Sequence, residues 1–159
     1  MTPVDLVDQL KVFAEEKLEN LLLPIRTPPK EDAKYRRPEV FKMNLPDLPS
    51  QKEKAPYVVL QFVNGSDEQN DGEEDYSICK IRVVVCAYSD NLGEGSMHVL
   101  NMLTRLRTEL LRERVLGKRY LLKLPLEYLV YPDNPAPYFF GEMMTVWEIP
   151  TIRREIHYE

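Results

Sequence analysis

Proline is unevenly distributed along this chain, and its placement limits where regular structure can form. The sequence contains 13 prolines, and none lies between Pro56 and Pro125. Because proline lacks a backbone N–H and breaks helices and central strands, continuous elements are expected in that proline-free block. Seven prolines fall within residues 24–56. This segment predicts a long excursion that lies outside the main sheet and reaches toward a neighbouring subunit or partner.

Apolar periodicity predicts two helices. The first covers residues 3–23, with Thr2 suited to the N-cap and proline at the first helical position. The second covers residues 96–116, capped by Ser96, and Gly117 is placed to end it in the left-handed conformation.

Four runs rich in β-branched and aromatic residues predict strands, and Pro125 places the centre of the third at an edge or a bulge. The fold class expected is therefore α+β: a single domain over residues 1–159 with a mainly antiparallel four-stranded sheet and both helices on one face. The predicted strands cover about 57–63, 76–89, 120–131 and 139–150.

Composition excludes several classes of protein. An apolar share of 43% is close to the globular norm, and no stretch approaches the roughly 18–20 apolar residues of a membrane span. Acidic residues near the N-terminus, where a secretory signal carries Lys or Arg, predict a protein that stays where it is made. The net charge of −5 argues against a protein whose main task is to grip nucleic acid phosphates.

The residue types that carry chemistry are few. Cys79 and Cys86 are seven residues apart on one predicted strand, so they face opposite sides and predict two buried free thiols. His98 lies near the start of the second predicted helix, and this position favours a solvent-facing residue over a catalytic base. Neither a metal-binding cysteine or histidine pair nor a complete glycine-rich phosphate loop occurs. We therefore predict no enzyme, no cofactor and no metal.

Six carboxylates lie within the nine residues 67–75, between the first two predicted strands. Their spacing does not match a calcium-binding EF-hand loop, so a solvated, charged hairpin tip is favoured over a calcium site. The residues are Asp67, Glu68, Asp71, Glu73, Glu74 and Asp75. In an assembly we expect this acidic tip to face a channel or a partner.

Aromatic residues crowd the C-terminal hairpin, and such residues are enriched at interface hot spots. Phe140 and Trp147 have opposite parity on one strand, so only one of them can face the helices. The face shared by Met143, Thr145 and Trp147 is poorer in charge. We therefore place Trp147 in the core, against the apolar stripe of the second helix.

Several phrases, taken together with the order of elements, resemble the tail terminator, or tail completion, proteins of phages and prophages of Gram-positive bacteria. The resemblance covers residues 56–150 well and the first helix loosely. The phrases are PYVV at 56–59, VVVCAYSD at 83–90, VLNMLTRLR at 99–107, LPLEY at 124–128, YFFGE at 138–142 and WEIP at 147–150.

The resemblance implies a structural virion protein at the head–tail junction. Such a protein forms a ring, usually a hexamer, that caps the tail tube and docks to the head connector, while DNA passes through its channel without sequence-specific binding. It implies assembly in the bacterial cytoplasm and no membrane partner. The alternatives are another phage neck or tail component, or a host-encoded, non-enzymatic interaction module. Candidate contacts with other subunits or partners are Tyr35, Arg36, Arg37, Phe41, Tyr131, Tyr138, Arg153 and Arg154.

Overall fold

A computed structural model of the chain describes residues 2–45, 54–69, 72, 74–153 and 155. Two helices, α1 and α2, cover Pro3–Lys17 and Leu92–Glu113. Strands β1 to β8 cover Leu23–Ile25, Lys34–Arg36, Glu39–Lys42, Tyr57–Glu68, Tyr76–Tyr88, Val115–Leu116, Tyr120–Val130 and Tyr138–Glu148.

The main sheet has six strands in the order β3-β4-β5-β8-β7-β6, and β1 pairs with β2 in a separate two-stranded sheet. Strand β3 is parallel to β4, and every other pair is antiparallel. The expected four-stranded antiparallel sheet is therefore wrong. The four predicted strands form the centre, β4-β5-β8-β7, and the short strands β3 and β6 flank them.

The proline-rich segment is not simply an excursion, because β3 within it belongs to the main sheet. Val40 is 6% exposed and pairs with Val58, and the Met43 amide donates to the Leu60 carbonyl at 2.7 Å. Pro38 lies just outside the strand, where its missing N–H costs no ladder hydrogen bond. The high proline content of this segment therefore led to the wrong prediction that it contains no strand of the main sheet, whereas β3 starts directly after Pro38.

The first helix is shorter than the expected 3–23. It ends at Lys17, and the amide of its C-cap residue, Leu18, donates to the Ala14 carbonyl at 3.0 Å. Leu21 and Leu23 are still buried, but they reach the core from a turn and from β1. Apolar spacing alone could not show whether Leu21 and Leu23 reach the core from a longer helix or from the segment that follows a shorter one.

The second helix begins four residues before the expected 96–116. Asn91 is its N-cap, and the Asn91 Oδ1 accepts from the Gly93 amide at 2.8 Å. Its C-terminal end is also earlier, at Glu113. Gly117 and Lys118 both have φ near +60°, and the Arg119 amide donates to the Leu116 carbonyl at 3.1 Å. Gly117 therefore belongs to the tight turn between β6 and β7 and does not cap α2.

Both helices pack on one face of the main sheet and bury the main core. Trp147 is 0% exposed in this core, as the parity argument predicted. Its indole N–H donates to Thr145 Oγ1 at 2.8 Å, and the Thr145 hydroxyl donates to the Ile81 carbonyl at 2.7 Å. The apolar side chains that α2 contributes are Val99, Met102, Leu103, Leu106 and Leu110.

A smaller group of buried residues, the outer cluster, lies on the opposite face of the sheet. Cys86 belongs to this cluster, whereas Cys79 belongs to the main core; both are buried, and neither forms a disulfide. The predicted placement of the two cysteines on opposite faces is therefore confirmed. Burial raises the pKa of the Cys79 thiol to about 11. The outer cluster consists of Ala55, Tyr57, Val59, Cys86, Tyr88 and Tyr138.

Candidate interaction surfaces

The acidic tip lies at the far end of the β4–β5 hairpin. Asp67, Glu68 and Glu74 are exposed, and Asp75 is half-buried. The Ser77 hydroxyl donates to Asp67 Oδ1 at 2.6 Å, which fixes this carboxylate at the base of the tip. The other two acids of the predicted cluster, Asp71 and Glu73, lie outside the described residues.

The candidate contacts in the proline-rich segment differ in exposure. Tyr35 is 59% exposed on β2, and Arg37 is also exposed. Arg36 instead has partners within the chain. Its guanidinium donates to Glu39 Oε1 and to the carbonyl oxygens of Lys54 and Pro56. Arg36 thus ties the backbone that precedes β4 to β3.

Phe41 and Tyr138 both contribute to the outer face of the sheet. The Phe41 ring is partly buried and lies edge-on to Tyr57 at 6.4 Å between centroids. Tyr138 is 7% exposed, lies 5.8 Å from the Tyr88 ring and accepts a hydrogen bond from Arg26 at 3.2 Å. Tyr138 therefore offers little surface to a partner in this conformation.

The remaining candidates lie near the C-terminal end of the described chain. The Tyr131 ring stacks on Phe140 at 6.5 Å, with the ring planes 30° apart. Phe140, which lies on the face of the sheet away from the helices, is thus partly covered by its own hairpin. Arg153 is exposed, and Arg154 lies outside the described residues.

One edge of the main sheet ends in an unpaired stretch of β7 that the list of candidates missed. Strand β6 pairs only with Tyr120 and Leu121, so residues 124–130, the β7 edge, have no strand partner on that side among the described residues. Three apolar side chains are exposed on this edge: Leu124 at 52%, Tyr128 at 41% and Leu129 at 47%. The β7–β8 register shifts between Lys123 and Glu127, which confirms the bulge that Pro125 predicted.

The opposite edge of the sheet, the β3 edge, is formed by Glu39–Lys42. Within the described part of the chain β3 pairs only with β4, so its other side is open. An apolar groove of about 460 Å³ lies beside this edge, between the first turns of α1, the end of β3 and the middle of β4. The groove is lined by Pro3, Val4, Val7, Asp8, Lys42, Met43 and Phe62, and an ion pair joins Asp8 to Lys42 at its rim.

Asp5 on α1 and Tyr120 on β7 form a hydrogen-bonded pair with shifted pKa values. The Tyr120 hydroxyl donates to the Asp5 carboxylate, and this hydrogen bond lowers the Asp5 pKa. Burial, together with the neighbouring Asp5, raises the pKa of Tyr120 to about 12. Among the described residues no three His, Cys, Asp or Glu side chains lie close enough together to hold a metal ion.

Searches with the sequence identify no family: no protein-family model matches the chain, and no curated protein matches it. No helix in the described ranges is both long enough and apolar enough to cross a membrane. The surfaces that remain as candidates are the acidic tip, the two sheet edges and the groove.

Proposed function

We propose that this protein is a structural component of a phage tail, similar to a tail terminator. In this role identical copies form a ring that caps the tail tube at the head–tail junction and docks to the head connector. The role requires binding surfaces and no catalysis. It is supported by the phrases within residues 56–150 and by the open edges of the sheet.

The observation that carries the proposal is a pair of edges, at opposite ends of one sheet, that have no strand partner on their outer side among the described residues. An unpaired edge with exposed apolar side chains favours unwanted pairing with other chains in a monomeric protein. In a ring each subunit uses two different surfaces, one toward each neighbour, so both edges can be covered at once. The β7 edge and the β3 edge with its groove are two such surfaces.

The charge of the chain suits the proposed position on the DNA path. At −5 for each copy, a ring of six would carry a charge of −30. A negatively charged channel repels phosphate and lets DNA slide without sticking. We expect the exposed carboxylates of the acidic tip to lie on the channel or on the face toward a partner.

The experiment that tests the proposal uses purified protein and isolated tail tubes that lack their own terminator. Electron microscopy should show the protein as a ring on one end of each tube and absent from the tube walls. Free tail tube protein that no longer polymerises once the ends are capped would be an independent readout. Failure to bind tube ends would contradict the tail role. A ring that binds the connector alone would indicate another neck component.

A further inference from the structure

We infer that the β7 edge of one copy pairs with the β3 edge of the next copy in an antiparallel arrangement, with Tyr128 directed to the apolar groove. The partner at both edges is thus a second copy of this chain. The inference deepens the proposed function and rests on its claim that the protein forms a ring.

The strand directions in the sheet already suit this pairing. Strand β3 is parallel to β4, and three antiparallel steps lead from β4 through β5 and β8 to β7. Strand β7 therefore runs opposite to β3. Rotation about an axis along the strands preserves their directions, so β7 of one copy meets β3 of the next as an antiparallel pair.

The two edges also lie at the same level of the sheet. A row is the set of residues that pair with one another on successive strands of the sheet. Two neighbouring rows extend without interruption from β3 to β7. One row consists of Phe41, Val59, Val84, Glu142 and Leu129, and the next of Lys42, Leu60, Val83, Met143 and Tyr128. A rotation without a shift along the axis keeps each row level. A head-to-tail contact without such a shift closes into a ring when its rotation is a whole fraction of a full turn.

Residues of one row share a face of the sheet, so the rows also predict which side chains meet. Phe41 packs on the outer cluster, and Leu129 lies in its row on that face. Leu129 is 47% exposed. Pairing the edges would place the Phe41 ring and this leucine side by side, in a cross-strand contact of the kind that stabilises sheets.

The second row faces the helices, where the groove lies. Tyr128 pairs with Met143 of the main core and is 41% exposed. Lys42, its counterpart in the row, lies at the rim of the groove. A tyrosine brought to this position can bury its ring against Val4 and Met43, and its hydroxyl can stay in water.

Disulfide trapping tests the contact directly. In the variant Lys42→Cys with Tyr128→Cys, oxidation at a protein concentration high enough to offset the weaker association without the Tyr128 ring should produce a ladder of covalent multimers that ends in a closed ring. Both positions are on the surface, and the native Cys79 and Cys86 are 0% exposed and cannot join the ladder. The matched control is Lys42→Cys with Val115→Cys, since Val115 is 43% exposed on β6, outside the proposed contact. Equal ladders in the two variants would show random collision and would overturn the inference.

A second measurement does not depend on cysteine chemistry. Tyr128→Ser should weaken self-association by about tenfold or more, as expected for a central aromatic anchor. Met97→Ser removes a side chain that is 61% exposed on α2, away from both edges, and should leave self-association unchanged. Equal association of the Tyr128 variant and wild type would overturn the inference, as would a wild-type protein that stays monomeric at every concentration.

The outcomes separate this inference from the proposed function. Wild-type rings without the Lys42–Tyr128 ladder would overturn the edge contact and leave the ring proposal standing. A ladder that stops at a two-fold dimer would also overturn the edge contact. A complete ladder from a protein that binds no tail tube would support the edge contact and contradict the role in the tail.

Discussion

Replacing Trp147 by alanine is the most informative change to the core. This side chain, the only tryptophan of the chain, is 0% exposed in the main core. Its indole N–H also completes a buried chain of hydrogen bonds, through the Thr145 hydroxyl to the Ile81 carbonyl. Trp147→Ala would therefore create a large cavity and remove one partner of a buried hydroxyl.

The expected loss of unfolding free energy follows from the burial of Trp147. Truncation of a buried tryptophan to alanine costs about 3–5 kcal/mol of unfolding free energy. Domains of this kind are stable by only about 5–15 kcal/mol. We therefore expect Trp147→Ala to give insoluble or largely unfolded protein instead of a folded protein that fails to assemble.

Circular dichroism reports both outcomes, because that signal does not depend on the tryptophan. An unfolded variant lacks the native signal in buffer, and urea unfolding measures the loss of stability in a variant that stays folded. Thr145→Val is the matched control, since it keeps the volume and leaves the indole N–H without its acceptor. Its cost should be about 1–3 kcal/mol, which is smaller than that of the truncation. In the wild-type monomer the tryptophan emission should be blue-shifted.

A different outcome would refute the placement of Trp147. If Trp147→Ala folds within about 1 kcal/mol of wild type but no longer associates, the side chain is an interface anchor and not a core residue. Red-shifted emission in the monomer that moves to the blue on assembly would lead to the same conclusion.

Three further predictions concern packing, pH and charge. Gly95→Ala should lower the unfolding free energy by about 1–3 kcal/mol in chemical denaturation, because a Cβ at this position would overlap the Phe139 ring; unchanged stability would contradict that packing. The Asp5 pKa is lowered in the folded state by the hydrogen bond from Tyr120, so this link stabilises the fold above the ordinary pKa of 3.8 and is lost as the pH falls further. Asp5→Asn should therefore flatten the acid side of the stability–pH profile, and an unchanged profile would show that the link contributes nothing. The double change Glu68→Gln with Glu74→Gln should alter stability by no more than about 0.5 kcal/mol, because both side chains are exposed; a larger loss in thermal unfolding would assign the acidic tip a structural role.

The centre of the fold could be predicted from sequence because the four long strands carry their own signals. Alternation along β5 and β8 and the β-branched run that opens β4 are local properties of the chain. The flanking strands are different. Val115–Leu116 is only two residues long, and Glu39–Lys42 follows a proline. Such short strands are defined by their partners, so no local pattern reveals them.

Helix ends were misplaced where one residue type suits several roles. Ser96 and Asn91 are both good N-caps, and Glu94, three residues after Asn91, gave a sign that favoured the earlier start. Gly117 satisfies a helix end or a tight turn equally well from sequence. The choice between these roles depends on whether β6 forms, which is a property of the whole sheet.

The exposure of the candidate contact residues could not be predicted from sequence, because it depends on neighbours in three dimensions. Tyr138 was a candidate contact, yet Tyr88 and Arg26 enclose it. Arg36 was another, yet it binds backbone carbonyl groups of its own chain. Pro125 predicted an edge or a bulge at the centre of its strand, but no residue of the β7 edge was among the candidate contacts.

We propose that copies of this chain form a closed ring, and the native mass of the purified wild-type protein measures whether they do. We expect a single species of fixed copy number, six by resemblance to tail terminators, that electron microscopy shows as a ring with a central pore. A two-fold dimer, an open-ended series of masses, or a protein that remains monomeric in the presence of tail tubes would show that no such ring forms.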